Sequence, residues 1–224
     1  HADIGASRAR LVTDRNGPGL LPMSAFEHPR YKYVTPNGRG HVPVAIVGAG
    51  PIGLCAAIDL TLRGVPVVVL DDDDTVSIGS RAICWAKRTL EILDRLGVAE
   101  PMIATGVTWE TGKVFLDATD LYRFDLADEG RQRHPAFINL QQYYAEAYLV
   151  ERARELEVDL RWKNRVVGVT PAADKVTLEV DTPDGRYMLD ADYVIAADGA
   201  RSFVRAALGP DFEGKLFDDH FRIA

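Results

Sequence analysis

One segment of the 224-residue chain, VPVAIVGAGPIGLCAAIDLTLRGVPVVVLD at 42–71, most restricts what the chain can fold into. It holds Gly48, Gly50 and Gly53 in the spacing G-x-G-x-x-G, with an apolar run before them and a helical pattern after them. A second apolar run closes the segment. Near-continuous apolar strands joined by a helix are typical of a parallel sheet that is covered on both faces. The segment therefore predicts a strand, a helix that begins at the glycines, and a second buried strand.

The glycine spacing is typical of a dinucleotide-binding turn. Gly48 permits the tight turn, Gly50 lets a pyrophosphate approach the backbone, and Gly53 lets the helix pack closely on the strand. The helix N-terminus offers free N–H groups to phosphates, and Pro51 suits the first turn because its position needs no N–H. Asp71 ends the second strand 23 positions after Gly48, where it can accept hydrogen bonds from an adenosine ribose. The alternative for this residue is a solvated loop acid. FAD and NAD both use such a turn, so both stay open at this point.

The rest of the chain predicts further elements of an α/β fold. Residues 1–41 show no sustained period and are expected to wrap around the domain or fray. Helices are predicted from about Ala82 to Leu96 and from about Gln141 to Leu156, and KVFLDATDLYRFDL predicts a hairpin with DATD as its turn. Strands are predicted at 42–47 and 65–71 and near the short segments DLRWKN, RVVGVTP, KVTLEVD, GRYMLD and DYVIAAD.

Composition excludes several classes of protein. A net charge of −7 argues against binding to nucleic acid, because there is no basic surplus to neutralise phosphates. The uncharged run 42–58 is broken by glycine and proline and is shorter than the ~20 residues of a membrane helix. Cys55 and Cys84 have neither metal nor redox spacing, and the five histidines are scattered, so no metal site is expected. Reduced thiols and the lack of a targeting signal predict a cytoplasmic protein.

Two further segments carry candidate ligand groups. Arg81 lies ten residues after Asp71 and can neutralise a pyrophosphate bidentately, although a surface residue at the start of a helix is the alternative. In AADGARSFVR, Asp198 and Gly199 follow a buried strand and form either a plain turn or a ligand group. A strand in the same parallel sheet would deliver Asp198 to the edge where such folds bind ligands.

In these motifs the chain resembles the flavoprotein aromatic hydroxylases of the para-hydroxybenzoate hydroxylase type, the class A flavin monooxygenases. Their fingerprint Asp-Gly-x-x-Ser-x-x-Arg is matched by Asp198, Gly199, Ser202 and Arg205. The resemblance implies that the glycine turn holds the FAD pyrophosphate and that the Asp-Gly motif contacts FAD and helps to accommodate the nicotinamide cofactor. The segment GSRAICWAKRTLEILDRLG looks closest to the branch that acts on phenols and hydroxyphenylpropionates.

The resemblance implies additional contacts with FAD. A glutamine that opens a helix four residues before a glutamate touches the flavin side in this family, which points to Gln142 with Glu146, or to Gln141 instead. Val166 stands where a family valine gives backbone contacts to adenine. The implied FAD-binding set is Gly48, Ala49, Gly50, Pro51, Ile52, Gly53, Asp71, Asp72, Ser80, Arg81, Gln142, Val166, Asp198 and Gly199.

The mechanism implied by the resemblance is an oxygen transfer to an aromatic ring. NADH or NADPH reduces FAD, O2 adds at the flavin C4a position, and the hydroperoxide hydroxylates a small phenolic or other aromatic substrate. The protein positions the flavin and excludes water. Ile83 stands near where the phenol hydroxylase branch has an acidic residue, so no catalytic acid or base is assigned.

The resemblance covers about residues 43–224 and ends within the fold. The family's third fingerprint, Gly-Asp before a long helix, does not occur. We therefore expect the N-terminal portion of a longer hydroxylase, for which a homodimer is one possible full-length form. Its expected architecture is a Rossmann-like α/β FAD-binding domain with a parallel sheet, an inserted β-hairpin, a small antiparallel sheet and a truncated substrate domain.

The expected domain boundaries follow from the same pattern. An N-terminal extension is predicted at 1–41, the FAD-binding domain at 42–210 and the start of the substrate domain at 211–224. A β insertion at about 107–138 is expected to belong to the substrate side. Two other functions stay open, an NAD-dependent dehydrogenase and a non-catalytic FAD-binding module; the Asp-Gly motif argues against the module.

Overall fold

The computed structural model describes residues 26–34, 40–79, 81–126 and 133–215. The strands are β1 (Gly40–Val47), β2 (Val67–Leu70), β3 (Cys84–Ala86), β4 (Val107–Thr108), β5 (Thr111–Leu116), β6 (Thr119–Asp125), β7 (Phe137–Asn139), β8 (Asp159–Arg161), β9 (Arg165–Pro171), β10 (Val176–Thr182) and β11 (Gly185–Ala196). The helices are α1 (Pro51–Leu62), α2 (Lys87–Leu96), α3 (Ala99–Thr105), α4 (Gln142–Glu155) and α5 (Phe203–Leu208).

The largest sheet has six strands in the order β8-β2-β1-β11-β10-β9. The first four run parallel to one another, whereas β10 is antiparallel to both of its neighbours. The two apolar strands predicted around the glycine turn are therefore confirmed as neighbours in a parallel sheet. The predicted strand DYVIAAD also lies in this sheet, directly beside β1.

Both faces of β2 and of the second half of β1, residues 44–47, are buried, which explains why these segments are apolar at every position. Alternate side chains of a strand point to opposite faces. Val44 and Ile46 belong to a core that includes α1 and α4, whereas Ala45 and Val47 belong to a second core with Leu178 of β10. The sheet is thus the middle layer of the domain, and its strand ends carry the predicted ligand groups.

The helix predicted from about Ala82 to Leu96 begins later than expected. Residues 84–86 form β3, which pairs with β7, and the helix α2 begins only at Lys87. Trp85 is buried, and its indole N–H donates to the carbonyl of Leu140 at 2.7 Å. The pairing with a distant strand overrides the local helical pattern. The end of the helix at Gly97, with φ of 84°, is confirmed.

The segments GRYMLD and DYVIAAD, two separate strands in the sequence prediction, form the single twelve-residue strand β11. Asp190 interrupts the apolar pattern in its middle, where a break is expected from the sequence. Its carboxylate accepts hydrogen bonds from Lys175 Nζ at 2.9 Å and from Thr177 Oγ1 at 2.6 Å. These hydrogen bonds from β10 and from the turn before it compensate for burial of the carboxylate, so β11 continues through Asp190 without a break.

Other predicted elements are confirmed. β5 and β6 form the expected hairpin, in which Asp117 of the turn adopts a left-handed φ of 51°. The long helix α4 spans Gln142–Glu155, within one residue of the prediction at each end. A further sheet has the order β3-β7-β4.

Part of the N-terminal region packs on the domain. Tyr31 is buried and stacks on Trp162 with ring centroids 4.4 Å apart, and its backbone N–H donates to the carbonyl of Asp74 at 2.7 Å. Burial raises the pKa of Tyr31 to about 12, although the charge of Arg154 opposes the shift. Phe26 packs against Tyr143 of α4. The described residues 26–34 therefore wrap around the domain.

Within the described ranges, no helix is long and apolar enough to cross a membrane. The same residues contain no group of three or more His, Cys, Asp or Glu side chains placed to hold a metal ion. Residues 216–224, most of the predicted start of the substrate domain, lie outside the described residues, as does Ser80.

Candidate functional site

The glycine turn joins the end of β1 to α1, and its three glycines meet three different requirements. Gly48 has a φ of 105°, and a Cβ there would lie 2.5 Å from the carbonyl oxygen of Ala197. A Cβ on Gly53 would clash with the carbonyl oxygen of Gly48. Around Gly50, by contrast, a Cβ would meet nothing within 4 Å. The fold requires Gly48 and Gly53, whereas Gly50 lies next to open space.

Asp71 follows β2 and binds the glycine turn directly. Its Oδ2 accepts from the backbone N–H of Ala49 at 2.5 Å, and its Oδ1 accepts from that of Asp73 at 2.8 Å. Burial raises the pKa of this carboxyl, while the two backbone hydrogen bonds act in the opposite direction. Asp71 therefore stabilises the turn through these hydrogen bonds, and its carboxylate keeps lone pairs that can accept from a ligand.

The Asp-Gly motif lies beside the glycine turn because β1 and β11 are parallel. Val47 pairs with Ala196, and the N–H of Ala197 donates to the carbonyl of Val47 at 2.8 Å. Asp198 therefore follows β11 at the same sheet edge as Gly48. The left-handed φ of 78° at Gly199 turns the chain towards α5.

Side chains of the motif also cap α5. Asp198 Oδ2 accepts from the N–H of Val204 at 3.0 Å, and Ser202 Oγ accepts from the N–H of Arg205 at 3.0 Å. Arg205 donates in turn to the carbonyl of Ala200 at 2.8 Å. The motif is thus a folded turn and a helix cap, and only Oδ2 of the Asp198 carboxylate accepts the capping hydrogen bond.

A cleft of about 360 Å³ lies at this edge, between the glycine turn, the end of β2 and the Asp-Gly motif. Seven of the predicted residues line it: Gly48, Gly50, Asp71, Asp72, Val166, Asp198 and Gly199. The cleft is also lined by residues that the sequence reasoning missed: Val47, Leu70, Asn164, Arg165, Ala197, Arg201 and Phe203.

Among the missed residues, Arg165 and Arg201 supply positive charge. Both are exposed, and neither forms an ion pair with another described residue. Asn164 is buried, and its backbone N–H donates to the carbonyl of Asp71 at 2.7 Å. Their sequence positions were informative, since Asn164 and Arg165 immediately precede Val166 and Arg201 lies within AADGARSFVR.

The remaining predicted residues do not line this cleft. Ala49, Pro51, Ile52 and Gly53 belong to the turn and the start of α1, where Ile52 is exposed and Gly53 is buried. Arg81 is exposed and makes no hydrogen bond or ion pair with the described residues.

Gln142 lies apart from the cleft, at the start of α4. Its Nε2 donates to Glu146 Oε1 at 2.6 Å, and its Oε1 accepts from the N–H of Ala82 at 3.3 Å. The alternative, Gln141, is the N-cap residue of the helix, and its side chain makes no capping hydrogen bond. Of the two glutamines, Gln142 is therefore the one whose side chain is hydrogen-bonded to the chain next to Arg81.

The comparison with protein families decides between the two cofactors left open by the glycine turn. The family model described as FAD binding domain matches residues 41–222. The chain belongs to this family. Membership in this family explains why the chain combines the parallel sheet, the glycine turn and the Asp-Gly motif.

Known relatives of this FAD binding domain are flavin-dependent monooxygenases. A flavin-dependent monooxygenase from Mycobacteroides abscessus is 31% identical over 183 residues, which cover 78% of this chain and 38% of the relative. A 3-(3-hydroxy-phenyl)propionate/3-hydroxycinnamic acid hydroxylase from Burkholderia cenocepacia is 35% identical over 182 residues, covering 77% of this chain and 32% of the relative.

A solved structure shows the same arrangement. The crystal structure of p-nitrophenol 4-monooxygenase from Pseudomonas putida DLL-E4 matches with a TM-score of 0.72 and 32% identity, covering 79% of this chain and 46% of that one. The resemblance to flavoprotein aromatic hydroxylases is therefore confirmed. The matched part of the chain spans less than half the length of each of these three relatives.

Proposed function

We propose that the full-length protein is a FAD-dependent monooxygenase that hydroxylates a phenolic or other aromatic substrate with NADH or NADPH as reductant. The observation that carries the proposal is the common sheet edge, where the glycine turn, Asp71 and Asp198 line one cleft. The family and the relatives support the reaction class.

The residues of the cleft fit the adenosine diphosphate half of FAD. The open space at Gly50 leaves room for a pyrophosphate, and the N-terminus of α1 carries N–H groups that have no partner within the helix. Arg165 and Arg201 line the same cleft, so their guanidinium groups are near enough to offset phosphate charge. Asp71 would accept hydrogen bonds from the adenosine ribose, and the backbone at Val166 would contact the adenine.

FAD bound in this way supplies electron transfer from the nicotinamide cofactor and activation of O2 for transfer to the aromatic ring. The residues of this chain bind and orient it. Arg81 and Gln142 lie outside the cleft itself; by the family resemblance, Arg81 would contact the pyrophosphate and Gln142 the flavin side of FAD. The β insertion at about 107–138 forms part of the substrate side.

The test uses the full-length protein. Purified protein is expected to release flavin on denaturation, which an NAD-dependent dehydrogenase would not do. With NADH or NADPH, a panel of phenols and ¹⁸O₂, it is expected to form a hydroxylated product that carries the label. Bound flavin without labelled product from any aromatic compound would favour the non-catalytic module. A preparation without flavin that gains none from added FAD would refute the proposal.

A further inference from the structure

Glu146 is a buried acid within α4 that the proposed function does not use. It is only 3% exposed, and it forms no ion pair with a described residue. Its Oε2 accepts from the backbone N–H of Ser77 at 2.5 Å, and its Oε1 accepts from Gln142 Nε2 at 2.6 Å. Burying a carboxylate without a cation is costly unless hydrogen bonds compensate, so these two donors account for its presence.

Both donors belong to parts of the chain that flank the proposed FAD site. Ser77 lies in the chain between β2 and β3, downstream of Asp71 and upstream of Arg81. Gln142 is the proposed contact on the flavin side. One carboxylate therefore joins the start of α4 to the segment that leads to Arg81.

The contact with Glu146 also determines how the Gln142 amide is oriented. Because Nε2 faces the carboxylate, Oε1 faces the N–H of Ala82, from which it accepts at 3.3 Å. The backbone of Gln142 adds a second link, since its N–H donates to the carbonyl of Ala82 at 3.0 Å. A reversed amide would place an NH₂ group against the Ala82 N–H and an oxygen against the carboxylate.

We propose that Glu146 is a positioning residue that fixes the Gln142 amide and holds the chain at Ser77 and Ala82 in the arrangement that binds FAD. The link to FAD rests on the proposed function, whereas the link to the backbone amides does not. A carboxylate is required because it accepts from both donors, while an amide of the same shape accepts from one and presents its own NH₂ group to the other.

The first test is E146Q in the full-length protein, since this variant preserves the size of the side chain. In the absence of FAD, hydrogen exchange is expected to be roughly tenfold to a hundredfold faster than in the wild type in the peptide that contains Ser77 or in the one that contains Ala82, because the amide at position 146 keeps one donor and loses the other. FAD affinity, measured by fluorescence titration of the apoprotein, is expected to fall. Unchanged exchange at both peptides would overturn the proposal.

A double variant separates the two proposed roles of Glu146, which are to fix the Gln142 amide for FAD and to hold the backbone at Ser77 and Ala82. In Q142E/E146Q, the carboxylate introduced at position 142 accepts from the Ala82 N–H and from the amide introduced at position 146, whose oxygen accepts from the Ser77 N–H. All three hydrogen bonds are restored, so slow exchange is expected to return. FAD affinity is expected to stay low, because position 142 no longer offers an N–H donor. If exchange stays fast in the double variant, general damage to α4 explains E146Q, and the positioning role is wrong.

The positioning role of Glu146 and the proposed function fail under different experimental outcomes. If the wild-type protein binds no FAD, the proposed function fails, while the exchange rates of E146Q and the double variant still decide whether Glu146 holds the backbone. If the wild type binds FAD and E146Q binds it equally well despite faster exchange, the positioning of FAD by Glu146 is refuted although the proposed function stands.

Discussion

At the scale of single residues, two glycines of the turn are required by the fold, and the third is proposed to be required by the ligand. Gly48 and Gly53 are in contact with backbone atoms that leave no room for a side chain, so substituting them disrupts the turn itself. Gly50 has an ordinary φ of −73° and free space beside it. A change at Gly50 therefore tests ligand binding without a large cost to folding.

Gly50→Val is expected to weaken FAD binding by at least tenfold, about 1.4 kcal/mol, while the melting temperature of the apoprotein stays close to that of the wild type. The branched side chain fills the space through which a pyrophosphate reaches the backbone. Retention of flavin during gel filtration and titration of the apoprotein measure the effect.

Gly214→Val is the matched control, because a Cβ at Gly214 also meets nothing within 4 Å and the residue does not line the cleft. It is expected to keep the affinity of the wild type. If Gly50→Val binds FAD as well as this control does, the turn does not hold the pyrophosphate.

Asp71→Ala is expected to weaken FAD binding by about 1–3 kcal/mol, the range for losing hydrogen bonds to a charged group. Part of the loss arises indirectly, since the N–H groups of Ala49 and Asp73 lose their acceptor. Isothermal titration calorimetry of the apoprotein measures the change. Asp174→Ala, in the exposed turn between β9 and β10, is the control, and equal affinities of the two variants would return Asp71 to the role of a loop acid.

The raised pKa of Asp71 predicts a pH dependence of binding. As the pH falls through a window above the ordinary aspartate value of about 3.9, Asp71 takes up a proton and loses capacity as an acceptor. FAD affinity is therefore expected to decline on acidification in that window. Asp71→Asn has no such group, and the ratio of wild-type to variant affinity should fall with pH. A constant ratio would contradict the prediction.

At the scale of elements, α5 shows that the Asp-Gly motif has a role in folding in addition to its proposed contact with FAD. The helix has only six residues, and two side chains of the motif satisfy the N–H groups of its first turn. The plain-turn and ligand-group interpretations of Asp198 are thus compatible. One carboxylate oxygen caps the helix, and the group as a whole lines the cleft.

Ser202→Ala is expected to lower the free energy of unfolding by about 0.5–2 kcal/mol, because the N–H of Arg205 loses its cap. FAD affinity of the folded protein should change little, since Ser202 does not line the cleft. Urea denaturation measures the stability. Ser202→Asn retains a capping oxygen and is expected to lose less, so equal losses in the two variants would show that the cap contributes nothing.

Patterns along the chain predicted the elements that are governed by local rules. Residues 44–47 of β1 and the whole of β2 are apolar because both of their faces are buried, and Gly97 ends α2 because it adopts a left-handed conformation. The pattern failed where a distant partner decides the structure. Residues 84–86 become a strand by pairing with β7.

The cleft was predictable to the extent that its residues lie in motifs. The glycines, Asp71 and Asp198 could be found because strand ends of a parallel sheet meet at one edge. Asn164 and Arg165 follow no motif. They reach the cleft because β8 pairs with β2, and the chain that leaves β8 then donates the backbone N–H of Asn164 to the carbonyl of Asp71. The orientation of the Gln142 amide depends on its contact with Glu146, which no spacing rule predicts.

At the scale of the whole molecule, the matched part of the chain corresponds to 38% of the flavin-dependent monooxygenase from Mycobacteroides abscessus. Residues 1–224 alone are therefore expected to bind FAD more weakly than the full-length protein. They should oxidise NADH or NADPH to yield hydrogen peroxide without hydroxylated product, because exclusion of water protects reactive intermediates. Product and peroxide are quantified with a panel of phenols, and full-length protein serves as the control. Stoichiometric product from residues 1–224 would place the substrate site within them.

Because Val47 pairs with Ala196, the cleft can form only late in the translation of the domain. The strand that completes one side of β1 is encoded about 150 residues after β1 and its glycine turn. Until then β1 has an unpaired edge, and closing so long a loop is slow. The nascent chain therefore cannot form the wall that carries Asp198 until β11 has emerged. Cellular FAD meets a complete cleft only after the domain has been translated almost to its end.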